Sequence, residues 1–168
     1  MDINIDVPEN IRKVDRNEFL TYLDTTPTAT NPTFKVLGIG ITDYGIAFNP
    51  QVDQEKWIIE KNARNIHRSN QKQGSVTQTI YKNDPCFEFV ADARDKTNYI
   101  THILDIDAYN GTGSTYPAKL SDGMIAITQF MGEDATISFD LYYNGDSVEG
   151  NVTFDSEGVP TFTPNTSL

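Results

Sequence analysis

Residues 49–85 read NPQVDQEKWIIEKNARNIHRSNQKQGSVTQTIYKNDP, and the fold turns on how this stretch is understood. From Gly74 to Tyr81 apolar and polar residues alternate, with Val76 and Ile80 separated by Thr and Gln. That is the period-2 pattern of a half-buried strand. Trp57, Ile58 and Ile59 form a second short apolar run, Asn70 to Gly74 supplies turn residues between the two, and Asn83-Asp84-Pro85 halts the extended chain. The stretch therefore reads as a long hairpin. A helix over Gln54 to Arg68 is the rival, since Ile59, Ala63 and Ile66 fall at i, i+4 and i+7. Trp57, the paired isoleucines, Asn62 and Asn65 suit strands and bends better than a helix interior and favour the hairpin.

Charge is concentrated in the same place. Between Lys56 and Lys82 six basic residues, Lys56, Lys61, Arg64, Arg68, Lys72 and Lys82, stand against the single acid Glu60, in a protein of formal net charge -11. Residues 1–82 hold 10 basic and 10 acidic residues, whereas residues 83–168 hold 3 and 14. All of the net charge thus belongs to the second half. Segregation of this kind suggests a basic projection on one copy meeting an acidic face on the next; scattered, solvated charge is the plain alternative.

At 168 residues, 38% of them hydrophobic, the chain has the length for one domain with a substantial core. Nine Phe, eight Tyr and many β-branched residues separated by short polar turns point to a mainly β fold. The N-terminus, MDINIDVPENIRKVDR, has no apolar core of a signal peptide, and no apolar run approaches the roughly 18 residues needed to span a bilayer. The expectation is a soluble protein made in the cytoplasm, with no membrane partner. Asn110, Asn151 and Asn165 match the glycosylation pattern by chance on that reading. The single cysteine, Cys86, excludes an internal disulfide. An acidic surface also argues against wrapping DNA, because the phosphate backbone is held by Lys and Arg.

Taken in order, residues 1–33 read as an N-terminal arm, with a short helix over Asp15 to Leu23 before TTPTATNPT breaks it. That Pro/Thr segment has too little apolar content to pack by itself, so it is either mobile or ordered by a neighbour. Phe34 to Ile41 is a strand, followed by an extended run through Ile46 and Phe48. Asp84 as cap and Pro85 at the first position start a helix predicted to end near Lys96 to Asn98. Tyr99 to Ala108 alternates as a strand with one apolar face. Asn110 to Pro117 is a loop, and Leu120 to Met131 and Ala135 to Tyr143 are strands. Asn144-Gly145-Asp146 reads as a hairpin turn into Val148 to Phe154. A last strand, Val159 to Phe162, precedes a tail over 163–168.

Site chemistry is sparse. His67 and His102 lie in unrelated elements with no Cys or His cluster, which speaks against zinc. Asp105-x-Asp107 is not followed by a calcium loop with a closing Glu, so these acids read as the polar face of a strand. Cys86 sits where a helix faces a core, without a basic neighbour to activate it. Glycines 38, 40 and 45 lack the spacing of a dinucleotide loop. No nucleophile elbow, phosphate loop or distinct carboxylate pair appears, so no catalytic residue, cofactor or metal is expected.

The strand pair running into NPQVDQEKWIIEK, the GSVTQTIYKNDPCFEFV stretch passing from strand to helix, and the terminal IAITQFMGEDATISFDLYYNGDSVEGNVTFD together resemble the major tail (tail tube) protein of long-tailed bacteriophages. The resemblance covers residues 34–162 and rests on Asn49-Pro50, Tyr81 to Phe87, and the last strands with Gly145 and Gly150. It implies a β-sandwich or barrel-like domain with one flanking helix and a long protruding hairpin. It further implies homohexameric rings stacked into the hollow tail of a virion, working with a tape measure and other tail proteins, DNA passing only in transit. On that reading the hairpin around residues 56–74 reaches the adjacent ring. Lys56, Trp57, Lys61, Arg64, Arg68 and Lys72 are then the contact residues, and Asp105, Asp107 and Asp140 are candidates for an acidic lumen lining.

Two other classes compete. A β-sandwich binding module for carbohydrate or protein would use Trp57 and tyrosines as stacking platforms. A hydrolase would need an acid/base pair or a nucleophile that the sequence does not single out.

Overall fold

The structure, a computed structural model, describes residues 8–166. It is mainly β, with 53% of residues in strands and 8% in helix, and its sheet is antiparallel. In chain order the elements are β1 (Phe19–Asp24), β2 (Phe34–Leu37), β3 (Ile46–Ala47), β4 (Pro50–Glu55), β5 (Arg64–Asn70), β6 (Gln73–Thr79), α1 (Pro85–Ala91), β7 (Tyr99–Asp107), β8 (Thr115–Gly132), β9 (Thr136–Phe154) and β10 (Pro160–Pro164). Eight strands form one sheet in the order β2-β1-β7-β8-β9-β6-β3, with β10 added to β9. β4 and β5 make a separate two-stranded sheet.

The long strands β8 and β9 are the spine, and they bury opposite faces at their two ends. Tyr143, Leu141 and Phe139 lie opposite Gly123, Ile125 and Ile127, and on this half it is the odd-numbered face that is buried. On the other half Val152 and Gly150 lie opposite Tyr116 and Ala118, and the even-numbered face is buried. The changeover falls at one level across four strands. Leu23 pairs with Ile103 and Ile103 with Ser121 on one side of it, while Tyr22 pairs with Leu104 and Leu104 with Leu120 on the other. Two cores result. Leu23, Ile103, Ile125, Ile137, Phe139 and Leu141 pack with Cys86 and Val90 of α1, and Leu104, Ile106, Ala118 and Val152 pack with Phe34, Phe162 and Tyr116.

A β-bulge sits at that level in β9. Asp122 pairs with Asn144 but Leu120 with Val148, so three residues, 145–147, oppose the single Ser121. The expected Asn144-Gly145-Asp146 hairpin turn is therefore not a turn: β9 continues through it. Gly145 at φ 67 supplies the left-handed step that lets the strand bulge and go on in its own direction.

The N-terminal arm also requires correction. Residues 1–7 lie outside the described residues, and Asp15 to Leu23 is not a helix. Glu18 accepts from the backbone N–H of Asp15 and holds one 3-10 turn over Arg16–Glu18. Phe19 to Asp24 then becomes a strand because β2 and β7 are available on either side to take its backbone hydrogen bonds. The sheet thus begins at Phe19, before the expected boundary at 34. The Pro/Thr segment is ordered within its own chain: the buried Asp24 carboxylate accepts from the backbone N–H groups of Thr26 and Thr33 at 3.0 and 2.9 Å. At the other end β10 reaches Pro164, and Asn165 donates its backbone N–H to the Glu149 carbonyl.

α1 starts as expected. Asp84 caps it by accepting from the Cys86 N–H at 3.0 Å, with Pro85 at the first turn. It stops at Ala91 rather than near Lys96. Tighter i to i−3 bonds follow through Lys96, and Asp95 at φ 61 takes the chain out of helical geometry.

Candidate assembly surface

The hairpin formed by β4 and β5 projects from the body. Every residue of β4 is exposed, and in β5 only Ile66 is half-buried. Its arms differ from the expected ones: β4 and β5 pair from Pro50↔Asn70 to Glu55↔Arg64, while the Gly74 strand belongs to the main sheet as β6. Trp57, Ile58 and Ile59 lie in the tip, residues 56–63, rather than in a strand. The reason is register: with only Gln71 and Lys72 left for the passage into β6, β5 finds its partner upstream in the polar β4. The rival helix over Gln54 to Arg68 does not form, and the favoured hairpin does. The base is tied by the Gln71 N–H donating to the Phe48 carbonyl at 2.9 Å and by the Asn49 amide donating to the Gln71 carbonyl at 3.0 Å.

Each predicted contact residue has a definite place. Arg64 pairs with Glu60 and lays its guanidinium over the Trp57 ring, 4.3 Å from the centroid. The Trp57 indole N–H donates to Glu55 at 3.1 Å, and its backbone N–H to Glu60 at 3.1 Å. The tip is thereby fixed from three directions, and one indole face is occupied by cation–π contact rather than open to a sugar. Arg68 pairs with Asp53 across the strands at 3.1 Å. Lys56 and Lys61 are exposed and pair with no carboxylate among the described residues. Ile58 is fully exposed and Ile59 nearly so.

Lys72 is apart from the other five. It lies at the hairpin base, where its ammonium donates to the Ser147 hydroxyl at 2.9 Å and stands over the rings of Tyr143 and Phe48. Ser121, the residue opposite the bulge, donates to the same Ser147 hydroxyl. Lys72 thus braces the bulge and does not extend the basic stripe of the hairpin.

The three acids do not share a surface. Asp105 and Asp107 project from the odd-numbered face of β7. Asp140 projects from the even-numbered face of β9, on the opposite side of the sheet by register. Asp105 is half-buried and accepts from Thr21 and Tyr143 at 2.7 and 3.0 Å. Burial pushes its carboxyl above the ordinary range, opposed by those two hydrogen bonds and by the positive charge of Lys72. Burial likewise raises the phenols of Tyr143 and Tyr44, which bond one another at 3.0 Å. Asp105 is therefore held in a polar network joining β1, β7 and β9.

Asp140 faces differently. It accepts from Ser75 at 2.7 Å, next to the Thr77–Ser138 hydroxyl pair, on a sheet face that continues through Thr79, Thr136, Tyr142, Met124, Ala126, Asp122, Ile100 and His102. None of these residues is Lys or Arg. Period-2 patterning pointed to such a surface on each strand, but the register that joins the strands into one face is set by tertiary pairing.

A cavity of about 310 Å³ opens beside the hairpin base. Phe19, Leu20, Tyr44, Ile46, Phe48 and Ile106 form its walls, with Asp105, Asp107 and Arg16 at its polar edge. The Arg16 guanidinium is taken up by the carbonyls of Phe19 and Tyr44 at 2.7 and 3.2 Å. Asp107 has no ion pair among the described residues. Nothing in the sequence groups these residues, since β1, the 44–48 segment and β7 meet only in the folded sheet. Elsewhere, His102 stands between Asp24 at 2.8 Å and Asp122 at 3.6 Å. No group of three or more His, Cys, Asp or Glu is placed to hold a metal among the described residues. Nor is any helix among them long and apolar enough to cross a membrane.

No family model matches the chain, and no curated protein matches it. Among solved structures it is similar to a chain in the cryo-EM structure of the anti-feeding prophage (AFP) baseplate, 6-fold symmetrised. That similarity has a TM-score of 0.47 at 10% sequence identity and covers 86% of this chain and 97% of the other. At that level the likeness assigns no function.

Proposed function

We propose that the chain is a structural, non-catalytic tail protein that assembles with copies of itself into stacked hexameric rings, forming a hollow tube through which DNA passes. The observation that carries this reading is the hairpin: a rigid projection with an exposed Trp57-Ile58-Ile59 tip that the chain itself leaves uncovered. An apolar projection on a monomer is an aggregation hazard, and its natural use is to be covered by another molecule. At about 3.3 Å per residue its six- to seven-residue arms extend roughly 20 Å, enough to reach a neighbouring subunit.

The hydroxyl-rich sheet face around Asp140 supports the second half of the reading. A duct for a polyanion requires a surface with little to hold phosphate, and among the described residues that face has no Lys or Arg and carries two carboxylates, Asp122 and Asp140. The hexameric order and the tape-measure partner come from the family resemblance.

Negative-stain electron microscopy across a concentration series, paired with light scattering, tests the proposal. Rings or hollow tubes are expected. Monomers at every concentration overturn self-assembly. Reversing Arg64 and Arg68 is a poor control, because both are paired within the hairpin and their loss disturbs the tip itself. Lys56→Glu with Lys61→Glu is the cleaner variant: it is expected to leave the fold unchanged and to weaken stacking in a salt-dependent manner.

A further inference from the structure

We propose that the hairpin tip of one copy seats in the aromatic cavity at the hairpin base of another, a contact that rests on the assembly reading above and names its receiving site. Ile58 and Ile59 enter between Phe19, Tyr44 and Phe48, and Lys56 and Lys61 face Asp107 and Asp105.

Three observations converge on this pairing. The tip is apolar at its apex and carries Lys56 and Lys61, which pair with no carboxylate among the described residues; Glu60 is paired with Arg64, and Glu55 lies at the tip's edge, bonded to the indole of Trp57. The cavity is lined mostly by apolar side chains and holds two acids, Asp105 and Asp107, against one cation, Arg16, whose guanidinium donates to carbonyls; Asp107 has no ion pair among the described residues. The tip is also held rigid by Arg64, Glu55 and Glu60, so little conformational freedom is lost on docking.

The geometry further selects the kind of contact. Tip and cavity lie at opposite ends of the same projection, as Phe48 directly precedes the base residue Asn49 and the tip is six residues beyond Pro50. One copy's tip in another's base is a heterologous contact, which extends into an open stack where the rotation between copies does not close a ring. A symmetric tip-to-tip contact instead brings four unpaired lysines together. A lipid surface is the other apolar occupant for an exposed Trp-Ile-Ile tip, but the protein's excess of acids opposes approach to anionic headgroups.

The test mixes two single-substitution proteins, Ile58→Cys and Phe48→Cys, at exposed positions where folding is not at stake. Cys86 is buried and silent. A short bismaleimide is expected to give mixed Ile58→Cys/Phe48→Cys dimers in excess over either homodimer. Ile58→Asp in the full chain is expected to weaken self-association by at least about 30-fold, while its thermal unfolding matches wild type. If wild type assembles in light scattering but Ile58→Cys homodimers dominate, or Ile58→Asp assembles as well as wild type, this contact is overturned and the assembly reading stands. If wild type binds anionic phosphatidylserine vesicles in flotation and Ile58→Asp does not, the tip serves a membrane and the contact is likewise overturned. If wild type shows no association at any concentration, the assembly reading itself falls.

Discussion

The Tyr143 hydroxyl donates to the Asp105 carboxylate at 3.0 Å, linking the bulged strand β9 to β7 across the intervening β8. Because that bond uses the only proton Tyr143 has, the Tyr44 hydroxyl must be the donor in the 3.0 Å Tyr44–Tyr143 contact. Thr21 gives Asp105 a second hydrogen bond from β1. The chain of donors therefore ends on one half-buried carboxylate.

A pH dependence follows. Burial raises the Asp105 pKa, so the folded state holds this proton more tightly than the unfolded chain. The contribution of Asp105 to stability is full below the ordinary carboxylate range and is lost as pH rises through the raised value. The stability difference between wild type and Asp105→Asn should accordingly fall with rising pH and then level off, measured by urea unfolding between roughly pH 4 and 8. Tyr143→Phe, which removes the donor while the carboxylate stays, should cost about 1–3 kcal/mol at neutral pH in the same assay.

Asp84 does two jobs with one carboxylate. It caps α1 through the Cys86 N–H and accepts from the buried Gln78 amide at 2.8 Å. Gln78 already has one buried oxygen without a partner. Asp84→Ala should therefore destabilise by about 2–3 kcal/mol, the sum of a lost cap and a weakened buried amide, read as a lower midpoint in denaturant.

The β8–β9 connection contains consecutive left-handed residues, Asp134 at φ 59 and Ala135 at φ 54. A turn of this type is ordinarily made with glycine at the second position. Ala135→Gly should raise stability by about 1 kcal/mol, removing the Cβ strain in excess of the added unfolded-state entropy. Differential scanning calorimetry should show a midpoint higher by roughly 2–4 °C.

Cys86 is buried, and burial beside Asp84 pushes its thiol up to about 12. Since the thiolate is the reactive form, the native protein should not react with a thiol reagent at neutral pH and should react fully once unfolded. Rapid labelling of the native state would mean that α1 opens readily from the core.

The sequence was legible wherever a pattern is local. Asp84-Pro85 announced a helix start because capping and the fixed φ of proline act within one turn. The alternation over 74–81 and 99–108 announced strands because side chains on a strand point to opposite faces whatever the strand pairs with. The concentration of basic residues on one segment, and of acids beyond it, is likewise a property of the chain in order.

What only the tertiary structure decided is everything set by pairing. Phe19 to Asp24 is a strand because β2 and β7 flank it, overriding the helix expected over Asp15 to Leu23. Asn144-Gly145-Asp146 is compatible with a turn or a bulge, and the length of β8 opposite it selects the bulge. β7 shows alternation, yet it buries Thr101 and Ile103 on one face and Leu104 and Ile106 on the other, because the covering layers change sides along it. For the same reason Asp105 became a network acceptor and Asp140 a surface acid. Composition and period fix which residue types alternate; the register of non-local strands fixes which of the two faces meets protein and which meets water.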